Sequence, residues 1–221
     1  ARAVTPSNLG ALNASATQEG LVELATDAET ATGTVTARVP PVSALASAVA
    51  YQGKQTIYIP AGAMTARTTN GAASGTTELT TNKNMLKSLD FDTTTQEFAQ
   101  FDIAMPKSWN LGTVTFQPIW TAASGSGGVV LGLAGVATSD DDAMDVAFGT
   151  AQTSTDTLLA ANDCHIGPES AAITIAGTPA ASDRVHFQMN RTVADAGDTL
   201  AVDAKLLGVR LFYTTNAKND A

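Results

Sequence analysis

Arg184–Arg191 reads RVHFQMNR, and its apolar side chains alternate with polar ones. Alternation at every second residue is the spacing of a β-strand, because successive side chains of a strand point to opposite faces of its sheet. Turn residues separate this run from others of the same kind. The candidate strands after residue 53 lie at residues 56–59, 85–91, 98–105, 113–121, 129–137, 172–175, 184–191 and 206–213.

These short runs predict a mainly β fold, a jelly-roll-like antiparallel β-sandwich in which alternate side chains of two sheets form one core. The glycine-rich stretch 125–128 (GSGG) joins two of the runs and is interpreted as a turn. Residues 139–148 (SDDDAMDVAF) are the one place in this region where a short helix is expected. The sandwich domain is assigned to residues 53–221.

Residues 1–52 follow a different pattern and are assigned to a small α/β stalk or attachment region. Residues 2–9 (RAVTPSNL) and 38–45 (RVPPVSAL) repeat at an offset of 36 residues, which indicates a stacked or fibrous architecture. Residues 20–25 (GLVELA) predict a short strand. Thr26 and Glu29 have the spacing of a capping box, so a helix is expected to begin there.

Charge and composition exclude several classes of partner. The chain has 221 residues, with 21 Asp and Glu against 12 Lys and Arg, for a formal net charge of -9. Such a chain is repelled by phosphate backbones, so no nucleic-acid partner is expected. No run approaches the ~18 consecutive apolar residues of a membrane span, so no membrane insertion is expected. The single cysteine, Cys164, is expected to be partly buried and unpaired.

The N-terminal region resembles the repeat of many tailed-bacteriophage fibre proteins, through residues 20–26 (GLVELAT), Ala28-Glu29, Gly33-Thr34 and Arg38. The remainder is similar to a C-terminal domain of phage and prophage minor structural proteins. The stretches that carry this second resemblance are 59–64 (IPAGAM), 105–109 (MPKSW), 120–129 (WTAASGSGGV), 147–152 (AFGTAQ), 198–201 (DTLA) and 206–213 (LLGVRLFY). Because the first repeat opens part-way, a longer parent protein is expected.

The resemblance implies a structural fibre protein of the virion, with a homotrimeric assembly and a β-sandwich at its distal end. Its N-terminal side would attach to other virion proteins, and the particle exterior would be its location after assembly in the host cytoplasm. The family transfers no catalytic residues and implies no cofactor.

Catalysis needs titratable groups that converge, and the sequence offers few of them. His165 and His186 fall on different predicted elements, and His186 is interpreted as a satisfied structural histidine inside a strand. No Gly-x-Ser-x-Gly elbow, Walker loop or His-Glu-x-x-His motif is present. The sequence therefore predicts a protein that is not an enzyme.

The candidate receptor-binding residues are Trp109, Asp140, Asp141 and Asp142. Trp109 lies in a turn, where its ring could stack on a sugar, and packing against a loop is the favoured alternative. Asp140, Asp142 and Asp145 are weak candidates for a metal site, but helix capping by the aspartates is favoured and no metal is predicted. The sequence has a second acidic group, for which turn and solvent-facing positions are the favoured interpretation: Asp195, Asp198 and Asp203.

The sequence favours a phage tail fibre whose distal sandwich binds the host surface, either a polysaccharide or an outer protein. A head fibre or capsid decoration protein is the alternative. A polysaccharide-degrading enzyme is less favoured, because the solenoid repeat and the facing carboxylates of such enzymes are not evident. A weak sugar site becomes effective when the three copies of a trimer bind together.

Overall fold

The computed structural model describes residues 24–26, 28, 29, 39, 53–217 and 220. The chain divides into two compact units, Ala1–Gly53 and Lys54–Ala221. No helix among the described residues is both long enough and apolar enough to span a bilayer.

The described part of the first unit contains the expected capping box. Thr26 donates from its backbone N and its Oγ1 to Glu29 Oε2, at 2.9 and 3.0 Å, and Glu29 N donates to Thr26 Oγ1 at 3.3 Å. Ala28 and Glu29 are helical, and Leu24 forms a parallel bridge with Val39. These contacts form the predicted capping box, and the helix expected to follow it stays a prediction. The repeated segments at residues 2–9 and 38–45 lie outside the described residues, apart from Val39.

The second unit is a β-sandwich of two antiparallel sheets. Its elements are β1 (Lys54–Pro60), a 3-10 turn (Ala61–Ala63), β2 (Thr65–Ala66), β3 (Ala73–Glu78), β4 (Met85–Phe91), β5 (Phe98–Ala104), β6 (Thr115–Thr121), β7 (Gly127–Thr138), β8 (Gln152–Leu158), β9 (His165–Ile166), β10 (Arg184–Arg191) and β11 (Ala204–Thr214). The first sheet has the order β3-β4-β11-β6-β9, with β1 also paired to β11. The second sheet has the order β2-β5-β10-β7-β8. The predicted β-sandwich is confirmed.

β11 organises the first sheet because it is long enough to pair with three strands. One edge pairs with β6, while the other pairs first with β4, at residues 204–206, and then with β1, at residues 208–214. The register shifts between Leu206 and Gly208, which is a β-bulge. β1 and β4 therefore meet beside this bulge.

One continuous hydrophobic cluster joins the two sheets. Its fully buried side chains include Phe91, Trp120 and Leu206 from the first sheet and Leu131 and Phe187 from the second. Buried apolar side chains alternate along β10, at Val185, Phe187 and Met189, whereas β7 is buried along almost its whole length.

Seven of the eight predicted strands are present, and residues 172–175 are the exception, because Ile173 makes only an isolated bridge to Val114. The sequence did not predict β2, β3, β8 or β9. β3 (ASGTTE) and β8 (QTSTDTL) are edge strands with much of their surface in solvent. Their sequences are polar, so they lack the alternation of apolar and polar residues that predicts a strand.

The helix predicted at residues 139–148 is wrong, because these residues form a turn and irregular chain. Asp142 closes the turn by accepting a hydrogen bond from Ser139 N at 2.8 Å, and Asp141 has a φ of 65°. A left-handed residue at this point ends any helical turn. Cys164 is exposed, so its predicted partial burial is also wrong.

A buried ion pair ties the end of β10 to the loop that follows it. Arg191 is 0% exposed and the Asp198 side chain 2% exposed, and their Nη2 and Oδ1 atoms are 2.8 Å apart. The guanidinium also donates to the carbonyl oxygens of Phe91, Val202 and Leu200. The solvent-facing position favoured for Asp198 is therefore wrong, because its carboxylate neutralises a buried cation.

Candidate functional site

Tyr58 presents an aromatic ring to solvent on the outer face of the first sheet. Its neighbours Ile57 and Ile59 contact the core, so alternation along β1 turns Tyr58 outward, where it is 52% exposed. The ring lies across Gly208 of β11: a Cβ atom on Gly208 would be 2.5 Å from Tyr58 Oη and 2.7 Å from Cε2. Gly208 therefore leaves room for the ring to rest against the backbone of β11.

The ring borders an open groove of about 520 Å³ at the place where β1 and β4 meet beside the bulge. We call this the Tyr58 groove, and its lining residues are Tyr58, Pro60, Gly62, Met85, Leu86, Lys87, Ile119 and Leu207. The lining is largely apolar, and Lys87 is its charged member. A largely apolar groove with one aromatic ring and few polar groups is typical of a ligand site.

Lys87 differs from most other cations of the sandwich because no carboxylate of the described residues pairs with it. Five other described cations pair with carboxylates, in the pairs Lys54–Glu169, Lys83–Glu78, Arg184–Asp102, Arg191–Asp198 and Lys205–Asp90. Among the described residues, no ion pair or hydrogen bond involves the Lys87 ammonium. Its Cδ lies 3.3 Å from where a Cβ on Gly62 would be, so the stem crosses this glycine.

The outer face of the second sheet is polar, but its side chains largely bind one another. Gln100 Nε2 donates to Gln188 Oε1 at 3.0 Å, and Arg184 Nε donates to Asp102 Oδ2 at 2.9 Å. A pocket of about 190 Å³ lies between this face and the segment that contains Phe148. Since these hydrogen-bond donors and acceptors are already paired, the outer face of the second sheet is a weaker candidate for a ligand site than the Tyr58 groove.

His186 lines this smaller pocket, and its Nε2 is buried without a hydrogen-bond partner among the described residues. The interpretation of His186 as a satisfied structural histidine is therefore wrong. Burial lowers the pKa of the imidazole, the Arg184 charge lowers it further, and the Asp102 charge partly opposes both effects. The ring is neutral at pH 7 and packs edge-on against Phe148, with centroids 5.7 Å apart.

We expect the free energy of unfolding to decrease as the pH falls below the ordinary histidine pKa of 6.5. The unfolded chain binds a proton at that pH, whereas folded His186 binds one only at lower pH, so this contribution is complete above pH 6.5 and is lost below it. Urea denaturation at pH 7.5 and 5.5 measures the effect, and His186→Gln should reduce the difference. Hydrogen bonds, chiefly from Thr94, lower the pKa of Asp92 to about 2. Its carboxyl group therefore titrates at a lower pH than the two values compared. An unchanged difference in the variant would contradict the prediction.

Trp109 is not an exposed contact, because it is 2% exposed and belongs to the hydrophobic cluster. Its backbone N donates to Pro106 O at 2.9 Å, and the residue forms a bridge with Thr215. These bonds hold the turn so that the indole points into the core. The favoured alternative, packing against a loop, fits the burial, and a sugar cannot stack on this ring.

Asp140, Asp141 and Asp142 are exposed in the turn after β7 and line neither the Tyr58 groove nor the smaller pocket. Asp145 lines the smaller pocket. Within the described ranges, no group of three or more His, Cys, Asp or Glu side chains could hold a metal ion. Receptor binding by the three aspartates stays a prediction.

Comparison with known proteins gives matches at the level of structure alone. No family model matches the sequence, and no curated protein matches it significantly. The CBM22-2 xylan-binding domain of Paenibacillus barcinonensis Xyn10C is similar at 12% identity over 71% of this chain and 98% of that chain, with a TM-score of 0.43. The chain is a β-sandwich distantly similar to carbohydrate-binding modules.

Two further structures, both from Clostridium thermocellum, are of the same kind. The family 11 carbohydrate-binding module, in complex with a β-1,3-1,4-mixed-linked tetrasaccharide, is 10% identical over 73% of this chain and 88% of that chain, with a TM-score of 0.35. The CBM22-1–GH10 modules of the xylanase Xyn10B, complexed with xylohexaose, are 10% identical over 70% of this chain, with a TM-score of 0.40. This chain covers 27% of that protein. Similarity of this extent assigns no ligand to the chain.

Proposed function

We propose that the sandwich binds a saccharide through the Tyr58 groove and performs no catalysis. The observation that carries the proposal is the Tyr58 ring, which rests on Gly208 while remaining 52% exposed. A ring already held in this position loses little conformational entropy when a ligand stacks on it. The apolar face of a sugar ring suits the exposed face of Tyr58, and a polar substituent of the sugar can bond to Lys87.

The chemistry of the groove supports binding without hydrolysis. Glycoside hydrolysis needs two carboxyl groups that flank the scissile bond. The groove has no carboxylate and no histidine among its described lining residues. A binding module therefore suits these side chains better than a depolymerase does.

We further propose that the module belongs to a bacteriophage fibre subunit on the virion exterior. This part rests on the sequence resemblance of residues 20–26 and the stretches after residue 59, and the capping box at Thr26 is consistent with the repeat. The proposed assembly is a homotrimer attached through its N-terminal side, with a head fibre or decoration protein as the alternative. Cryo-electron microscopy of the virion tests both position and symmetry.

Tyr58→Ala is expected to weaken saccharide binding about tenfold or more, because the groove loses the ring on which the ligand stacks. A panel of neutral and acidic oligosaccharides identifies the best ligand, and isothermal titration calorimetry with the full chain gives its Kd. Tyr58→Phe should retain most of the affinity.

The matched control is Phe212→Ala, which removes a ring of β11 that contacts Lys54 and does not line the groove. This variant should bind as tightly as the unmodified chain. Full affinity in Tyr58→Ala, with the fold intact by circular dichroism, would refute binding through the groove.

A further inference from the structure

We infer that the Tyr58 groove selects saccharides that carry a carboxylate, with Lys87 as the residue that pairs with the acid. The inference rests on the proposed function and adds the class of ligand. The structural reason is the juxtaposition of an exposed aromatic ring and an unpaired ammonium group as lining residues of one groove. A hexuronate presents the matching pair of features, an apolar ring face and a charged substituent.

Lys87 differs from the other described cations in the strands of the first sheet, which make ion pairs or, for Arg210, a hydrogen bond to Gln117. Lys54 and Lys205, also in the first sheet, are neutralised by Glu169 and Asp90 respectively. Lys87 has no such partner within the described residues. Its charge is therefore available to a ligand without first breaking an internal ion pair.

The surroundings of Lys87 favour an anion over a neutral ligand. The other lining residues carry no charge, so a carboxylate that enters the groove meets attraction without a local repulsive group. The formal net charge of the chain is -9, so any attraction for an acidic ligand comes from local groups such as Lys87 and not from the chain as a whole. An acidic ligand would therefore be directed to this groove, and its affinity would decrease with salt.

The aliphatic stem of Lys87 lies against Gly62. The Lys87 stem crosses Gly62, whose missing side chain gives the stem its path along the groove. Apolar contact of this kind reduces the number of conformations that the long side chain must lose on binding. A carboxylate at this position can accept a charge-assisted hydrogen bond from the ammonium.

The test uses the full chain, hexuronate tetrasaccharides, and the same tetrasaccharides after reduction of their carboxyl groups to neutral hydroxymethyl groups. Calorimetry should show that the best acidic ligand binds about tenfold more tightly than its reduced form. Lys87→Met keeps the stem and removes the charge. It should lose the salt dependence and bind the acidic ligand no more tightly than the reduced one.

Lys54→Met is the matched control, because Lys54 is a lysine of the same sheet that does not line the groove. It should keep the preference for the acidic ligand. Equal binding of the acidic and reduced ligands by the unmodified chain, or an unchanged preference in Lys87→Met, would overturn the inference. Loss of binding in Tyr58→Ala would then still support the proposed function, whereas no binding of any ligand by the unmodified chain would overturn both.

Discussion

Asp198→Ala is expected to lower the free energy of unfolding by about 3–5 kcal/mol, because it leaves the Arg191 guanidinium buried without a counter-charge. Arg191 is 0% exposed, so water cannot replace the lost carboxylate. The carbonyl oxygens that also accept from the guanidinium cannot neutralise it. Asp198 Oδ2 additionally accepts from Val130 N at 3.0 Å, so the substitution removes a bond to β7 as well.

Urea denaturation measures this loss, and Asp195→Ala is the control from the same loop. Asp195 is exposed, and its Oδ1 accepts from Gly197 N at 2.8 Å, so its removal should cost only about 1 kcal/mol. The double variant Arg191→Met, Asp198→Ala should recover much of the lost stability, since it removes both buried charges. If Asp198→Ala costs no more than Asp195→Ala, the pair does not stabilise the fold.

Leu206→Ala is expected to cost about 2–5 kcal/mol, because it removes a fully buried side chain from the centre of the first sheet. Leu206 is 0% exposed and lies opposite Trp120 of β6 and Leu89 of β4, which are themselves packed in the core. Neither of these rigid neighbours can move far enough to fill the space, so a cavity remains.

Leu159→Ala makes the same chemical change at a site that is 87% exposed, and it should alter stability by no more than about 0.5 kcal/mol. Chemical denaturation of both variants under the same conditions gives the comparison. Similar losses in the two variants would mean that β11 is not at the centre of the core. Since Leu206 directly precedes the bulge, its loss should also loosen the Tyr58 groove.

The candidate site could be predicted only in part, because its residues come from four distant parts of the chain. In residues 56–59 (TIYI), alternation places the Tyr58 side chain on the opposite face of the strand from Ile57 and Ile59. This pattern predicts an aromatic ring on the solvent side. Gly208 stands inside an otherwise continuous strand, which indicates close approach of another group. No local sequence pattern connects Tyr58 with Gly208, because the pairing of β1 with β11 joins residues about 150 positions apart.

Asp198 shows the opposite error, in which local context predicts exposure for a residue that the fold buries, whereas for Trp109 exposure is the less favoured of two interpretations. A turn with proline, lysine and asparagine around Trp109 is typical of the surface, and so is an aspartate between glycine and threonine. Trp109 is buried by the hydrophobic cluster, and Asp198 by its pairing with Arg191. Both effects depend on distant chain segments that the local pattern does not include.

The sequence by itself determined the β class, most strand positions and the direction of side chains within each strand, because these follow from alternation between neighbours in the chain. It also determined the capping box at Thr26 and Glu29, whose bonds span three residues. Only the tertiary structure decided which strands pair, where the bulge beside Gly208 lies, and which ring and cation share a groove. The physical reason is that pairing and burial depend on the packing of the whole core, which no single segment specifies.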